Sequence, residues 1–374
     1  MAIVEYLNPA RAPYTDQDRA LIGAGHARQA RARFAGRSDY RPTPVHTVRG
    51  LAGTAAVHIK DESLRMGLGS FKALGGAYAV RLMADREPEG PPFVCASAGN
   101  HGISVAAGAA EAGVPCVIYL SEDVPSAFER RLRALGAEVR RSGRHYDDSM
   151  AAALRAAEEH GWRLVSDSSW EGYTAVPLDV MRGYTVLFDE LSDPGALRFS
   201  AEPAEPQTIG GSDHGPVNGP AGALEAPTHV FVQAGVGGLA AAAAAYVRDR
   251  WGERPKVVVV EPEGAPCLLE SARAGKPVRV TGGHTTLGRL DCLEPSLLAH
   301  RLLSHLADLY MTITDEQADA AVRLLSGHGV ALSPCGAAGA AGLLELGDAS
   351  RDALGVGDRS HVLLVGTEGP VEPK

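Results

Sequence analysis

Short apolar runs alternate with longer helical patterns along almost the whole chain. The first half has three such runs, at residues 93–96, 116–120 and 162–167. The second half repeats the pattern at residues 228–235, 256–262 and 360–369. Between the runs, apolar residues recur at the spacing of one helix face, which predicts strands joined by helices. This alternation is typical of parallel βαβ units, so we predict an α/β fold whose ligands bind at the carboxyl ends of its strands.

One long segment, residues 191–227, has no periodicity and is rich in Pro, Gly, Ala and Ser. A segment of that composition buries little apolar surface, and long stretches without secondary structure are uncommon inside compact domains. We therefore predict a long surface loop or insertion between the two halves of the chain.

The composition is that of a globular protein without a strong electrostatic partner. Of the 374 residues, 45% are hydrophobic and 22% are charged, and the length predicts two domains. The net charge of −9 argues against binding to nucleic acid or to anionic membranes, because both are negatively charged. The longest run of small apolar residues, 238–247, is shorter than the about 20 residues that a membrane-spanning helix needs. We expect neither a nucleic acid nor a membrane as partner.

The cysteines and the N-terminal residues predict a cellular location. The first residues lack a basic region followed by an apolar run, so we expect no signal peptide. The five cysteines are widely spaced, and none forms a C-x-x-C pair. They are interpreted as free thiols of a reducing cytoplasm. Because His and Cys also lack the spacing of metal ligands, we predict a cytoplasmic protein without a metal site.

Lys72 stands in a setting that predicts reactivity. It follows Ser70, a residue type that often caps helices, and precedes Gly75 and Gly76. A cation in the first helical turn is disfavoured by the helix dipole, and glycines inside a helix cost about 1 kcal/mol each relative to alanine. A close backbone approach and an amine with a depressed pKa explain both features, and a lysine that forms a Schiff base needs such an amine. The alternative interpretation is a surface lysine at a helix start.

Two glycine-rich loops each lie between a predicted strand and a predicted helix. "SAGNHG", residues 97–102, offers backbone N–H groups for a carboxylate or phosphate, and Asn100 adds an amide donor and acceptor. "GVGGLA", residues 235–240, allows backbone amides to approach a phosphate closely. Each loop is also compatible with an ordinary turn from strand to helix.

The second loop also matches the dinucleotide fingerprint G-x-G-x-x-A. Glu261 lies at the end of the next predicted strand, near the place of a ribose-binding acid. A nicotinamide or flavin dehydrogenase is therefore an alternative. A fourth loop, "VGTEG" at residues 365–369, offers Thr367 and Glu368 to a ring nitrogen, and Glu368 is interpreted as an ordinary loop residue near the chain end.

Taken in order, "SFKALGGAYA", "SAGNHG", "GVGGL" and "TEG" resemble the fold-type II pyridoxal-phosphate enzymes, the tryptophan-synthase-β class. Within that class the chain is most similar to the diaminopropionate ammonia-lyases. The motifs that carry this resemblance are "KDESLRMGLGSFKALGGAYA", "SDSSWEGYTAVP", "QAGVGGLA", "VEPEGAPC" and "CLEPS". The resemblance extends from about residue 41 to residue 369, apart from residues 191–227.

The resemblance implies an α/β architecture with two open, three-layer parallel-sheet domains. Residues 1–88 and 180–374 are predicted to form a large domain that binds pyridoxal 5'-phosphate, with 191–227 as its loop or insertion. Residues 89–179 are predicted to form a smaller domain on the substrate side. The family is usually homodimeric, so a homodimer is expected.

The resemblance also implies roles for single residues. Lys72 would carry the cofactor as a Schiff base, and Asn100 would bond the cofactor's phenolic oxygen. The residues expected to bind the cofactor are Lys72, Phe71, Asn100, Gly235, Val236, Gly237, Gly238, Leu239 and Thr367. The residues expected to bind the substrate are Ser97, Ala98, Gly99 and His101. The residues expected to act in catalysis are Lys72, Asp167 and Asp291.

Several positions depart from the ammonia-lyase pattern. That pattern has an acid where this chain has Ala98, and the acid is linked to handling of the D-isomer. Asp291 stands where the family has a small residue, and it is a candidate to compensate for the acid missing at Ala98; the alternative interpretation is a loop aspartate exposed to solvent. The family's serine partner of the pyridine nitrogen falls on Gly366, so Thr367 is expected in that role. Cys335 also stands where a serine is expected, and a neutral thiol near the ring suits β-elimination.

The implied function is that of a pyridoxal-phosphate-dependent lyase. We expect α,β-elimination on a small amino acid, with 2,3-diaminopropionate as the favoured substrate and with pyruvate and ammonia as products. A serine or threonine dehydratase and a β-replacement synthase remain alternatives within the class. A nicotinamide-binding protein and a non-catalytic binding protein are the alternatives outside it.

Overall fold

Two β-sheets organise the computed structural model, which describes residues 4–97, 99–122, 124, 126–193 and 226–370. Numbered along the chain, the strands are β1 (Glu5–Leu7), β2 (Val45–Arg49), β3 (Ala56–Asp61), β4 (Phe93–Ala96), β5 (Cys116–Leu120), β6 (Glu138–Arg141), β7 (Arg163–Leu164), β8 (His229–Gln233), β9 (Lys256–Pro262), β10 (Leu309–Ile313) and β11 (His361–Gly366). The larger sheet has the order β1-β10-β9-β8-β11-β3-β2, and the smaller has the order β6-β5-β4-β7. All pairs are parallel except β1 with β10 and β2 with β3, at the two edges of the larger sheet.

Helices cover the sheets and connect their strands. They are α1 (Asp16–Leu21), α2 (Ala24–Phe34), α3 (Lys72–Arg86), α4 (Asn100–Ala112), α5 (Ser126–Ala134), α6 (Tyr146–His160), α7 (Ala175–Tyr184), α8 (Val186–Asp189), α9 (Gly238–Trp251), α10 (Cys267–Ala274), α11 (Leu297–Leu306), α12 (Asp315–Gly327), α13 (Pro334–Glu345) and α14 (Asp348–Leu354). Among the described residues, no helix is long and apolar enough to cross a membrane.

The predicted α/β fold with parallel sheets is confirmed. The central strands β8 and β9 are almost fully buried, which explains why their sequences are continuous apolar runs rather than alternating ones. The prediction was wrong about the length of three strands. The run at 162–167 forms only the two-residue strand β7, the run at 228–235 forms a strand only over His229–Gln233, and the run at 360–369 ends its strand at Gly366.

Two parts of the sequence-based prediction receive no test from the fold. Of the predicted loop 191–227, only residues 191–193 and 226–227 belong to the described residues. The division into residues 89–179 and residues 1–88 with 180–374 stays a prediction, although the strands of the smaller sheet all come from residues 93–164.

The alanine-rich helix α9 runs through the middle of the main core. All residues from Gly238 to Val247 are buried, and the alanines at 240–245 have no exposed surface. A helix that is apolar on all sides is stable only when it is surrounded by protein. Its small side chains let neighbouring helices approach closely, and α9 starts at the glycine loop, so this packing fixes the position of the loop.

The glycine pair of the Lys72 segment makes the close helix contacts that the sequence predicts. A Cβ atom on Gly75 would lie 2.8 Å from the Val180 side chain and would collide with the Tyr184 ring of α7. On the opposite side of this crossing, a Cβ on Gly183 would lie 2.6 Å from the carbonyl oxygen of Leu74. Helices α3 and α7 therefore cross at glycines, and this crossing presents Tyr184 to Lys72.

Replacing Gly75 by alanine is expected to destabilise the protein by about 1–3 kcal/mol, because the added methyl group overpacks a closed helix crossing. Gly25 in α2 is a matched control, since a Cβ there would meet no atom within 4 Å. Gly25→Ala should leave the free energy of unfolding unchanged or raise it by up to about 1 kcal/mol. Urea unfolding of both variants measures the difference, and equal effects would contradict the packing argument.

Candidate active site

Lys72 is the first residue of α3, directly after a segment that is paired with the chain's last loop. The Phe71 N–H donates to the Thr367 carbonyl oxygen at 3.0 Å, and the Gly369 N–H donates to the Gly69 carbonyl oxygen at 3.3 Å. The prediction that Ser70 caps α3 was wrong, because Phe71 occupies the cap position and no side chain caps the helix. The pairing brings the "SFK" and "TEG" motifs, almost 300 residues apart in sequence, into one site.

The Lys72 ammonium is held by one carboxylate between two aromatic rings. Lys72 Nζ donates to Asp167 Oδ2, and it lies 5.3 Å from the centre of the Phe71 ring and 5.6 Å from that of Tyr184. Burial is the largest single influence on the pKa of Lys72 and lowers it, but the raising influences together, led by the Asp167 carboxylate, outweigh burial, and the pKa lies above its ordinary value. The prediction of a depressed pKa for Lys72 was therefore wrong for this state. Burial is the largest single influence on the pKa of Asp167 and raises it, but the lowering influences together, led by the Lys72 charge, outweigh burial, and the net pKa lies well below its usual range.

A pair of serines joins the Asp167 segment to the glycine loop. The Ser169 and Ser296 hydroxyl oxygens are 2.7 Å apart, and Ser169 Oγ accepts the N–H of Leu298 at the start of α11. The Ser296 N–H in turn donates to the Val236 carbonyl oxygen at 2.9 Å. The motifs "SDSSWEGY", "CLEPS" and "GVGGL" thus form one hydrogen-bonded unit, which fixes Asp167 relative to the loop.

The glycine loop connects β8 to the N-terminus of α9 and forms a cradle of backbone donors. Gly237 has a φ of 95°, which favours glycine, and a Cβ there would lie 3.0 Å from both Ala299 and Leu268. No described carbonyl or carboxylate oxygen accepts a hydrogen bond from the N–H groups of residues 235–240, and only the Cys292 thiol lies beside one of them, that of Val236. Free N–H groups at the start of a 14-residue helix favour an anion such as a phosphate. Gly235, Val236, Gly237, Gly238 and Leu239 therefore fit the cofactor-binding role that the sequence predicts.

Two buried polar atoms near Lys72 lack a partner among the described residues. These are the Tyr184 hydroxyl and Nδ1 of His101. His101 Nε2 lies 3.2 Å from the Val165 carbonyl oxygen, and burial lowers the pKa of His101. A buried polar group without a partner is costly, so it indicates that a ligand completes the site. Lys72, the cradle and these orphaned groups together fit pyridoxal phosphate.

The predicted substrate loop lies between β4 and α4. The Gly99 N–H donates to Ser97 Oγ at 3.3 Å, and Asn100 is the first residue of α4. Asn100 Nδ2 donates to Glu368 Oε2 across the site. Ala98 lies outside the described residues, so the structure says nothing of the position at which the ammonia-lyase pattern has an acid.

Two neutral groups lie near the end of β11, where the sequence predicts a partner for the ring nitrogen. Thr367 is buried, and its Oγ1 accepts a hydrogen bond from Gln233 Nε2 at 3.0 Å. Burial raises the pKa of the Cys335 thiol to about 12, which keeps it neutral at physiological pH. A Cβ on Gly366 would lie 2.9 Å from the Leu332 side chain, so a serine fits there only if Leu332 moves.

Asp291 does not join this group. Its side chain is exposed and makes neither a hydrogen bond nor an ion pair with another described residue. Although the side chain is exposed, its partial burial by neighbouring atoms raises the pKa of Asp291. A catalytic part for Asp291 stays a prediction.

Sequence reasoning missed Glu368 and Tyr184. Glu368 was interpreted as an ordinary loop residue, yet it is 5% exposed and contacts Asn100, Ser333 and Arg289. Its position after a buried strand was a usable signal, because the carboxyl ends of parallel strands carry ligand sites. No local signal distinguishes Tyr184, since its place beside Lys72 depends on the crossing of α3 and α7.

Glu261 does not occupy the position that the dehydrogenase alternative requires. It has no exposed surface, and its two carboxyl oxygens accept the N–H groups of Leu268 and Leu269, each at 2.8 Å. Burial raises the pKa of Glu261 to about 8. The residue caps α10 and is not available to a ribose.

Comparison with known proteins places these features in a family. A family model described as "pyridoxal-phosphate dependent enzyme" matches residues 37–368. Diaminopropionate ammonia-lyase of Escherichia coli (strain K12) is 30% identical, and the match covers 99% of this chain and 93% of that protein. A serine dehydratase-like protein of Mus musculus is 28% identical over 81% of this chain and 82% of its own length.

A similar solved structure is the diaminopropionate ammonia lyase of Escherichia coli in complex with an aminoacrylate–PLP azomethine reaction intermediate. Its TM-score with this chain is 0.83 at 27% identity, and the match covers 99% of this chain and 94% of that one.

Proposed function

The chain belongs to the family of pyridoxal-phosphate dependent enzymes, and on this premise we propose that it eliminates ammonia from 2,3-diaminopropionate to give pyruvate and ammonia. The single observation that carries the proposal is the ion pair between Lys72 and Asp167 beside the glycine loop. It supplies a base and an acid at one place, which an α,β-elimination requires.

The chain's own residues hold the cofactor and the substrate. The amides of the glycine loop would anchor the phosphate, Lys72 would bond the cofactor's aldehyde carbon, and Asn100 would donate to its phenolic oxygen. Thr367 or Cys335 would face the ring nitrogen, and the loop of residues 97–101 would hold the substrate carboxylate. When bound, pyridoxal phosphate takes up the electrons that remain at the substrate's α-carbon.

Lys72 and Asp167 handle the protons. Once the substrate's amino group has replaced Lys72 at the aldehyde carbon, the freed Lys72 amine would remove the α-proton as general base. Asp167 then supplies a proton to the departing β-amino group, because burial raises its pKa and the Lys72 charge is the largest of the influences that lower it. While Lys72 is neutral, its charge no longer lowers the pKa of Asp167, so Asp167 holds a proton more readily. While Lys72 is charged, Asp167 is a carboxylate. The pair therefore passes one proton between its members as the reaction proceeds.

Asparagine at position 167 is expected to lower kcat by about 10²–10⁴-fold, the usual contribution of a general acid or base. The same change removes the charge that raises the pKa of Lys72, so burial then lowers that pKa. Because only the neutral amine attacks an aldehyde, the pH midpoint for attachment of pyridoxal phosphate to cofactor-free Asp167→Asn protein should move to lower pH. The growth of visible absorbance after mixing measures this midpoint.

Asp16→Asn is the control for this prediction, because the side chain of Asp16 is 96% exposed and lies in α1. It should change neither kcat nor the pH midpoint. An Asp167→Asn enzyme with undiminished kcat would remove Asp167 from the mechanism.

The substrate assignment is tested by 2-oxo acid release from L- and D-2,3-diaminopropionate, L-serine and L-threonine, with protein loaded with pyridoxal phosphate. We expect the L-diamine to be turned over fastest and the D-isomer slowly, because Ala98 lacks the acid that the ammonia-lyase pattern has. Faster turnover of serine or threonine would instead favour a dehydratase, to which "SAGNHG" and the 28% identical serine dehydratase-like relative also point. No product from any of them while the cofactor is bound would favour a β-replacement synthase.

We also propose that the protein is a cytoplasmic homodimer and that each of its chains folds into the two predicted domains. The family resemblance supports the dimer, and the five free cysteines support a reducing compartment. Light scattering of the cofactor-loaded protein measures the assembly, and a mass of one chain would contradict the dimer.

A further inference from the structure

Glu368 is a buried carboxylate at the meeting point of three elements. Its Oε1 accepts the Ser333 hydroxyl at 2.6 Å, and its Oε2 accepts Asn100 Nδ2. Arg289 Nε lies 3.3 Å from the same Oε2. The carboxylate thus connects α4, the cap of α13 and the loop before "CLEPS".

The backbone of Glu368 is fixed as firmly as its side chain. Its carbonyl oxygen accepts the Ser333 N–H at 3.2 Å, and it pairs with Ser70, two residues before Lys72. A Cβ on Gly336 would lie 3.2 Å from the Glu368 nitrogen, so α13 closes directly on this segment. Glu368 is therefore a rigid anchor for whatever it binds.

Among the residues that Glu368 contacts, Asn100 is the one whose side-chain orientation depends on this fixed carboxylate. A side-chain amide has one donor edge and one acceptor edge, and it can turn by 180° at little cost. A carboxylate only accepts, so the contact with Glu368 requires that Asn100 turns its NH₂ group toward Oε2. In the opposite orientation, two oxygens would face each other. The orientation of the Asn100 amide is thus fixed by its hydrogen bond to the Glu368 carboxylate.

That orientation decides what Asn100 offers to a ligand. A phenolic oxygen that carries negative charge is stabilised by an N–H donor and repelled by a carbonyl oxygen. We propose that Glu368 is a positioning residue that orients Asn100 so that the amide presents its second N–H to the phenolic oxygen of pyridoxal phosphate. The inference rests on the proposed function, which assigns Asn100 to that oxygen. Arg289 balances the Glu368 charge, so the anchor does not repel an anionic cofactor.

A matched pair of substitutions isolates the hydrogen bond from the charge. Glu368→Gln and Glu368→Met remove the same charge and keep similar bulk, but only glutamine retains an oxygen that accepts from Asn100. We expect the dissociation constant of pyridoxal phosphate to rise about tenfold more in the methionine variant than in the glutamine variant. The pH midpoint of the cofactor's visible band should lie higher in the methionine variant, because an anionic oxygen loses its donor.

The same pair in an Asn100→Ala background completes the test. If Glu368 acts through Asn100, the difference between glutamine and methionine vanishes there, as a double-mutant cycle requires. A difference that persists would overturn the inference and would indicate a structural or direct role. An Asn100→Ala protein with unchanged cofactor affinity and unchanged band would overturn the assignment of Asn100 as well. Thermal unfolding confirms that each variant is folded, and Glu368→Ala replaces the methionine variant if that one is not.

Discussion

Alanine in place of Lys72 is expected to abolish turnover, with a loss of at least about 10⁴-fold in kcat, and to remove the visible absorbance of the attached cofactor. Two functions are lost at once, because Lys72 is both the covalent attachment point and the general base. Its amine is placed for this by the Asp167 carboxylate and by the Phe71 and Tyr184 rings. An alanine offers no nitrogen to the aldehyde and no acceptor for the α-proton. Steady-state pyruvate release and an absorbance spectrum of the loaded protein measure both losses.

Lys276→Ala is the control, since Lys276 is exposed after α10 and far from these contacts in the chain. It should leave both the spectrum and the rate unchanged. The Lys72→Ala protein should still bind pyridoxal phosphate through the glycine loop, because the backbone N–H groups of the cradle are unaffected. Its affinity should be lower than that of the wild-type protein, because the covalent attachment is lost. A visible band that survives in Lys72→Ala would show that another lysine holds the cofactor.

The parts of the site that the sequence predicted are those built by local geometry. The glycine loop could be predicted because its glycines, the preceding apolar strand and the following helix are neighbours in the chain. Lys72 could be predicted because its helix start and glycine pair lie within a few residues of one another. The order of strands in the two sheets could not be predicted, because it depends on contacts between segments far apart in sequence.

The parts that the sequence missed depend on charges brought together by the fold. The pKa of Lys72 is opposite to the prediction because Asp167, 95 residues later, is its hydrogen-bond partner. Glu368 was misread for the same reason, since its partners Asn100, Arg289 and Ser333 come from three separate segments. Motifs therefore predicted which residues have chemistry, while the electrostatic state of each residue required the structure.

A second large effect is expected on stability, from the buried charge cluster that supports the approach to Lys72. The cluster consists of Lys60, Glu62, Arg65 and Glu190, whose side chains are at most 1% exposed. Glu190 accepts Lys60 Nζ at 2.6 Å and two nitrogens of Arg65 at 2.7 and 2.8 Å. Arg65 also donates to Glu62 through two nitrogens, each at 2.7 Å. Two basic and two acidic side chains thus pair in a space closed to solvent.

Glutamine at position 190 is expected to lower the free energy of unfolding by about 3–5 kcal/mol, because it leaves buried cations without a countercharge. The substitution should also weaken cofactor binding at the active site, since Arg65 begins the turn that leads to the Lys72 segment. Urea unfolding measures the loss, and cofactor affinity measures its spread to the site. Glu138→Gln is the matched control: Glu138 pairs with Arg140 on the surface, and exposed pairs contribute at most about 1 kcal/mol.

The pH dependence of stability gives an independent check on the same cluster. Although burial raises the pKa of Glu190, the charges of Lys60 and Arg65 lower it more, so its pKa lies below the ordinary value. A carboxyl whose pKa is depressed in the folded state contributes its full stability above the unfolded pKa, about 4.3, and loses it as the pH falls toward the folded pKa. The wild-type protein should therefore lose stability below about pH 4.3 more steeply than Glu190→Gln, which has no proton to take up there. Parallel pH profiles for the two proteins would mean that Glu190 does not carry the buried charge, and that the cations of the cluster are balanced by Glu62 alone.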